Sequence, residues 1–240
     1  MKFFNWYFIR LFLMLVLVVF LYSFSYKRNA QREIKKCDIV FVGENQGFIK
    51  KEMVNKLLIE NRSLVSGIKK EHLNLDKMEQ SVNKYPLVEK SEVYVTVDGV
   101  LRAEVKPRTP IGRVFNDESS FYIDDKGVLM PLSDVTTAHV PLVSGTITNK
   151  NRKSLAAVLK KIYDDDFLKK NIIGVQITPE NDLEMYNRNF DYQIEFGRMM
   201  HVDSKFKNYK AFFQKAITDS SLVKYKKINL RFTKQVVCTR

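Results

Sequence analysis

The chain has 240 residues, with 40 Lys and Arg against 27 Asp and Glu for a formal net charge of +13, a length that allows one large domain or two small ones. An apolar fraction of 45% excludes intrinsic disorder, and nine Gly with six Pro exclude collagen and low-complexity linkers. Two cysteines, Cys37 and Cys238, exclude a disulfide-dense scaffold and a Cys-rich zinc module, while 11 Tyr and 17 Phe point to a sheet-rich body.

Leu11 to Tyr22 (LFLMLVLVVFLY) holds no polar side chain beyond one tyrosine hydroxyl, and apolar character runs from Phe3 to about Tyr26, interrupted by Asn5 and Arg10. Crossing ~30 Å of hydrocarbon takes ~20 helical residues. The stretch suffices if Arg10 snorkels to the interface, and Trp6, Tyr7, Tyr22 and Tyr26 sit near its ends, where amphipathic rings favour the headgroup zone. A cleaved signal peptide is the rival reading, but Ser23-Phe24-Ser25-Tyr26-Lys27 offers no small-x-small site. Residues 1–26 are therefore predicted to be a single-pass anchor; nothing later resembles a second span. Charge leaves the topology open. Lys27, Arg28, Arg32, Lys35 and Lys36 outnumber Lys2, Arg10 and the amino terminus, yet long domains translocate largely regardless of flanking charge. All but Lys2 and Arg10 of the basic residues follow the anchor. That excess reads as a solvated surface, or as attraction to anionic headgroups, wall polymers or an acidic partner. Nucleic acid is not expected, since no zinc finger, helix-turn-helix or RNA-binding aromatic signature accompanies the charge.

Residues 27–109 read as a small domain in the order strand, helix, helix, strand, strand. Cys37 to Val42 is β-branched and aromatic, stopping at Gly43. From Phe48 to Ile59, Ile49, Met53 and Leu57 form a helical face with Val54 and Leu58 beside it. Arg62 to Glu71 is a polar loop. Asn74 is a plausible N-cap for a second helix with Leu75, Met78, Val82 and Tyr85 along one stripe, ended by Pro86. Val93, Val95 and Val97 alternate with Tyr94 and Thr96, Asp98-Gly99 is the dipeptide of a two-residue type I′ hairpin, and Leu101, Ala103 and Val105 alternate on the return. Lys106-Pro107-Arg108-Thr109-Pro110 lacks two backbone donors and suits a domain junction.

Residues 110–240 read as a larger, mostly antiparallel β domain with a few helices, so the fold class is α+β. Strands are predicted at Ile111–Phe115, Phe121–Ile123 and Val128–Met130, with turns at Asn116–Ser119 and Asp124–Gly127, then around Pro141–Gly145. Leu155, Val158, Leu159 and Ile162 mark a helix, as do Phe206, Tyr209, Phe213 and Ile217. Between them lie strands at Ile172–Thr178, Leu183–Tyr186 and Gln193–Phe196. Ile228, Leu230 and Phe232 alternate in one last strand, which Val236 and Val237 continue.

Convergent catalytic groups are hard to find. His72, His139 and His201 lie far apart without metal-ligand spacing and read as surface or turn residues. Asp164-Asp165-Asp166 lacks EF-hand spacing and reads as a solvated helix end. Asp124-Asp125-Lys126-Gly127 resembles half a calcium loop without its closing Glu, and reads as a hairpin turn. There is no GxSxG elbow, P-loop or GxGxxG. Cys37 and Cys238 fall in strands, where a thiol behaves as a small hydrophobe, and whether they pair stays open. The expectation is a protein without catalytic residues, metal or cofactor.

The order of elements resembles the FtsQ/DivIB family of bacterial cell-division proteins over nearly the whole length. The first domain is similar to that family's POTRA module, with Val82 to Val93 like its helix-Pro-strand stretch, although Leu87 stands where an aromatic is common. Leu101-Arg102-Ala103-Glu104-Val105 and Pro110-Ile111-Gly112-Arg113-Val114 resemble its second strand and junction. Tyr122 to Val128 resembles the hairpin opening the family's β domain, and Val140-Pro141-Leu142-Val143-Ser144-Gly145 its Leu-Pro-hydrophobic-hydrophobic-Ser/Thr-Gly motif. Ile228-Asn229-Leu230-Arg231-Phe232 resembles the closing-strand signature, with Asn229 where Asp is usual. The resemblance implies a non-enzymatic scaffold in the cytoplasmic (inner) membrane, its short N-terminus cytoplasmic and its domains on the outer face. It implies partners among small single-pass coiled-coil division proteins of the FtsB and FtsL type, with no small-molecule substrate. An edge strand near the chain end can accept a partner strand, and Arg231, Phe232, Thr233, Lys234, Val236 and Val237 are the candidate partner-binding residues. Two other readings stand beside this one. A POTRA-bearing chaperone or adaptor for exported proteins would carry repeats or a barrel, and neither is found. A membrane-tethered wall hydrolase would need carboxylates meeting in three dimensions.

Overall fold

A computed structural model describes residues 6–31, 33–43, 46–59, 67, 69–70, 73–115 and 119–240. The Arg62–Glu71 loop for the most part, His72 and the Asn116–Glu118 turn fall outside them. Contacts divide the chain into two compact units, Met1–Pro107 and Arg108–Arg240.

The first unit opens with α1, Trp6–Ala30, a 25-residue helix with no buried residue, long and apolar enough to cross a membrane. It continues with β1 (Lys36–Phe41), α2 (Lys51–Ile59), α3 (Leu75–Asn83), β2 (Val88–Val95) and β3 (Val100–Pro107). The sheet order is β1-β3-β2, with β1 parallel and β2 antiparallel to β3. Alternation decides the faces. Ile39, Val93, Leu101, Ala103 and Val105 are buried against Val54, Leu58 and Val82 of the helices, each fully buried aliphatic side chain contributing about 1.5–3 kcal/mol. Asn74 caps α3, its Oδ1 accepting from Lys77 N at 2.9 Å. Two expectations are corrected here. Because α2 starts only at Lys51, Ile49 precedes it and its inward face is Val54 and Leu58, leaving Met53 exposed. The β2–β3 connection is not type I′, which needs positive φ at both central residues. Val97 and Asp98 are not among the positive-φ residues, whereas Gly99 has φ +81. Gly99 N donates to Thr96 O at 3.1 Å and Thr96 N to Val100 O at 2.9 Å. This is the three-residue loop with glycine in the left-handed position.

The second unit is built on a nine-stranded mixed sheet. Its elements are β4 (Pro110–Phe115), β5 (Ser120–Asp124), β6 (Leu129–Met130), β7 (Leu142–Ser144), α4 (Arg152–Tyr163), α5 (Asp166–Asn171), β8 (Ile172–Ile177), β9 (Leu183–Asn187), β10 (Gln193–Gly197), α6 (Val202–Thr218), β11 (Lys227–Asn229) and β12 (Val237–Thr239). Strand order is β12-β11-β10-β9-β8-β7-β4-β5-β6, with five antiparallel pairings and three parallel ones, β4–β7, β7–β8 and β10–β11. Ile111, Val143, Val175, Met185, Ile194 and Ile228 share one core with Leu155 and Leu159 of α4 and Phe206, Tyr209 and Phe213 of α6. Side chains of the other parity, Leu142, Tyr186, Gln193 and Lys227, line one cross-strand row and remain accessible, the usual condition of a sheet covered on one face.

Asp164–Asp166 is more than a solvated helix end. Asp165 accepts from Phe167 N at 3.1 Å and Leu168 N at 3.0 Å, capping α5, and also pairs with Lys210. Sequence periodicity misses α5 because six residues hold no full amphipathic repeat. The Asp124 turn is a hairpin turn, its carboxylate buried and paired with Arg108. The terminal strand is the main correction. It is not one strand through Phe232 to Val237 but a hairpin of two three-residue strands, β11 and β12, joined by a bent segment.

Candidate functional site

Every sheet end exposes backbone groups, so the candidate edges can be compared. The outer amides of β2 are already occupied: Ser91 N donates to Asn83 Oδ1 at 2.7 Å and Val93 N to Glu79 Oε2 at 3.1 Å, both from α3. Such side-chain cover is a common way of blunting an edge. β6 has only two residues. β1 pairs on one side, with β3, and β12 pairs only with β11, leaving its other side without a strand among the described residues. Alternate backbone groups of β12 therefore point away from its neighbour.

The β11–β12 hairpin is shaped by Asn229. Its Oδ1 accepts from Arg231 N at 2.9 Å, turning the chain as an Asx turn does, while its Nδ2 donates to Glu195 Oε2 at 2.9 Å. An aspartate could not make the second bond, and two carboxylates would meet there. This explains physically why an amide suits this place. Leu230, buried, still donates its N–H to Glu195 O at 2.9 Å. Beyond it, Thr233 O accepts from Asn208 Nδ2 of α6 at 2.7 Å, holding the loop against the helix.

Arg231, Phe232, Thr233 and Lys234 thus lie in the loop, not in a strand, and all four are exposed. Phe232 is 52% exposed and Val237, which opens β12, 43%. Val236 is half-buried and packs on the core with Cys238. The structure brings these residues to one hairpin but separates their roles by placement. Cys238, expected in a strand, and Thr239 complete the edge strand, although neither is among the candidate partner-binding residues. The polar run Thr233-Lys234-Gln235 between the alternating Ile228–Phe232 and the β-branched Val236-Val237 is the signal for a turn.

Arg231 lies across Gly197, where an added Cβ would stand 2.7 Å from its Cγ, and its guanidinium is 3.5 Å from Asp182 Oδ2. Gly197 also has φ +72, so glycine serves there twice. Below this corner Lys205, in the first turn of α6, is 2% exposed. Its Nζ donates to Phe196 O at 2.8 Å and Arg198 O at 2.7 Å and sits 4.5 Å above the Phe196 ring. Burial pushes its ammonium below the usual lysine value. Lys205 staples the β10–α6 corner on which Arg231 rests.

Charge completes the description. Residues 220–240 contain Lys224, Lys226, Lys227, Arg231, Lys234 and Arg240 and no acidic residue. Elsewhere, His139 and His201 are exposed, His201 leading into α6 with φ +53. Among the described residues no group of three His, Cys, Asp or Glu is placed to hold a metal ion. A cleft of about 600 Å³ between α4 and the start of α6 holds a surface ion pair, Lys161 to Asp203 at 2.6 Å. Both cysteines are free, and burial raises both thiols.

Residues 109–239 match the family described as FtsQ/DivIB, C-terminal related, and residues 35–106 match the POTRA-like domain. A solved structure with likeness to the chain is the major extracytoplasmic domain of the trans isomer of the bacterial cell-division protein DivIB from Geobacillus stearothermophilus. It is 14% identical, with a TM-score of 0.34, over 47% of this chain and 95% of that one. No curated protein matches.

Proposed function

Since the chain belongs to the FtsQ/DivIB, C-terminal related, family, we propose that it is a non-enzymatic, membrane-anchored scaffold of cell division that captures small single-pass partners of the FtsB and FtsL type by strand addition at β12. α1 is the single-pass anchor, with the short N-terminus in the cytoplasm and the two units on the outer face of the cytoplasmic membrane. The observation that carries this reading is the outer side of β12, at the end of a nine-stranded sheet, where no further strand lies among the described residues.

An extended partner segment would pair its backbone with the outward groups of Val237–Thr239, the mode of recognition by β-augmentation. β12 is favoured over β1 because its loop adds the exposed Phe232, in a segment, residues 220–240, that carries basic and no acidic residues. Phe232 and Val237 would supply apolar contact, and Arg231, exposed and loosely paired with Asp182, would meet an acidic partner group. Three strand residues alone give modest affinity. Confinement of both proteins to one membrane raises their effective concentration and makes modest affinity sufficient.

The test is capture of FtsB- or FtsL-type partners by the Phe232→Glu, Val237→Glu double variant. Both positions are exposed, so the fold is expected to survive, and loss of capture with an unchanged circular dichroism spectrum is the expected result. Undiminished capture removes β12 as the site. Depletion in cells is expected to give filaments that elongate without constricting, whereas selective loss of outer-membrane proteins points to the export-chaperone reading.

A further inference from the structure

The β2–β3 hairpin is fastened to the segment that joins α1 to β1. Lys35 N donates to Gly99 O at 2.8 Å, and an added Cβ on Gly99 would stand 2.7 Å from Glu33 O, so only glycine lets the turn approach this closely. Its tip lies beside the last two turns of the helix: Val97 lines a cleft of about 540 Å³ together with Tyr22, Phe24, Ser25, Tyr26, Arg28 and Asn29. Val97 is 77% exposed, an apolar residue held at the apex of a turn.

Its height relative to a bilayer follows from the helix. About 20 residues cross ~30 Å of hydrocarbon, so a span entering at Trp6–Tyr7 leaves near Tyr26. Tyr22 and Tyr26, whose rings stack at 6.4 Å, mark the headgroup zone that such rings favour, and Lys27 and Arg28 follow in the last turn. A tip level with Tyr22 to Asn29 is level with that zone.

We infer that the β2–β3 hairpin tip is a second membrane contact, with Val97 seated among the lipid headgroups beside the exit of α1. This rests on the reading of α1 as a membrane anchor. The occupant of the cleft is lipid: the surrounding surface carries exposed Lys27, Arg28, Lys35 and Lys36, suited to anionic headgroups. Asp98 at the same turn keeps the seating shallow, since a carboxylate stays out of hydrocarbon. The contact fixes the first unit against the membrane at two points instead of swinging it from a single tether.

The full chain with Cys37→Ser and Cys238→Ser is reconstituted in phosphatidylcholine–phosphatidylglycerol vesicles carrying nitroxides both near the headgroup and along the acyl chain. An environment-sensitive fluorophore is placed in turn at Val97→Cys, at Val18→Cys within the anchor, and at Lys90→Cys, about 20 Å along β2 from the tip. Strong quenching and a blue shift at 97 and 18, severalfold above that at 90, is the expected result. Quenching at 18 with none at 97 overturns the hairpin contact and leaves the anchor reading intact. No lipid signal at 18 overturns the anchor reading, and the inference with it. A blue shift at 97 without lipid quenching means that protein, a second copy of the chain, fills the cleft, and also overturns the inference.

Discussion

Asp124→Ala is expected to be among the most damaging single substitutions in the second unit. The carboxylate is 1% exposed; Oδ1 accepts from Lys126 N at 3.0 Å and Val128 N at 2.6 Å, and Oδ2 from Arg108 Nη1 at 2.7 Å. Alanine removes three acceptor contacts at once and takes a counter-charge from a guanidinium that is 18% exposed. Deleting one partner of a buried pair costs about 3–5 kcal/mol. Water reaching the partly exposed arginine brings the figure toward the lower end, about 3 kcal/mol. Asp124→Asn keeps the Oδ1 acceptor for the turn and loses the charge, for about 1–2 kcal/mol. In thermal unfolding of the full chain in detergent, Asp124→Ala should lower the second unit's transition by about 10 °C, with Asp124→Asn intermediate. A double-mutant cycle with Arg108→Ala should give a coupling energy above about 1 kcal/mol. An alanine variant within about 1 kcal/mol of the parent, or additive single variants, would mean that the Asp124–Arg108 pair carries little of the unit's stability.

Three further outcomes are expected. Asn229→Asp deletes the donor to Glu195 Oε2 and sets two carboxylates together, costing about 1–2 kcal/mol near neutral pH; denaturant titration should show the loss shrinking in acid, where one carboxyl protonates. Lys205 has a folded-state pKa below its unfolded one, so between those values the unfolded chain binds more protons and stability rises with pH up to the ordinary lysine range. Lys205→Met should abolish that rise while costing about 1–3 kcal/mol for the lost carbonyl contacts, and a parallel pH profile in the variant would count against the assignment. Gly197→Ala should displace Arg231 and strain the backbone, lowering stability by about 1–2 kcal/mol; a neutral substitution, measured by urea unfolding, would mean that the corner relaxes freely.

Much of this fold is legible because alternation and helical stripes are strong where one face is buried. Val93, Leu101, Ala103 and Val105 announce β2 and β3, and Phe206, Tyr209 and Phe213 announce α6. The errors share a cause: period-2 spacing does not reveal which residues are buried. Ile228, Leu230 and Phe232 alternate, yet only the first two face the core, because Asn229 turns the chain and Asn208 ties down Thr233. Those partners are distant in sequence or carried by side chains, and neither leaves a periodic trace. The same holds for Gly99, whose dipeptide context favours one turn type while the Thr96–Val100 pairing imposes another. At the candidate edge, the residue types were legible, but not their division between loop and strand. Nor was Arg231's seat on Gly197, a contact across 34 positions.

Strand addition requires that β12 offer its backbone to a second chain. Amide hydrogen exchange at Val237, Cys238 and Thr239, with and without an FtsB- or FtsL-type partner, tests this most directly. Protection of the outward-facing amides, slowed on partner addition while Ser91 and Val93 of the covered β2 edge stay unchanged, is the predicted result. Tight partner binding with exchange on β12 unaltered would contradict it.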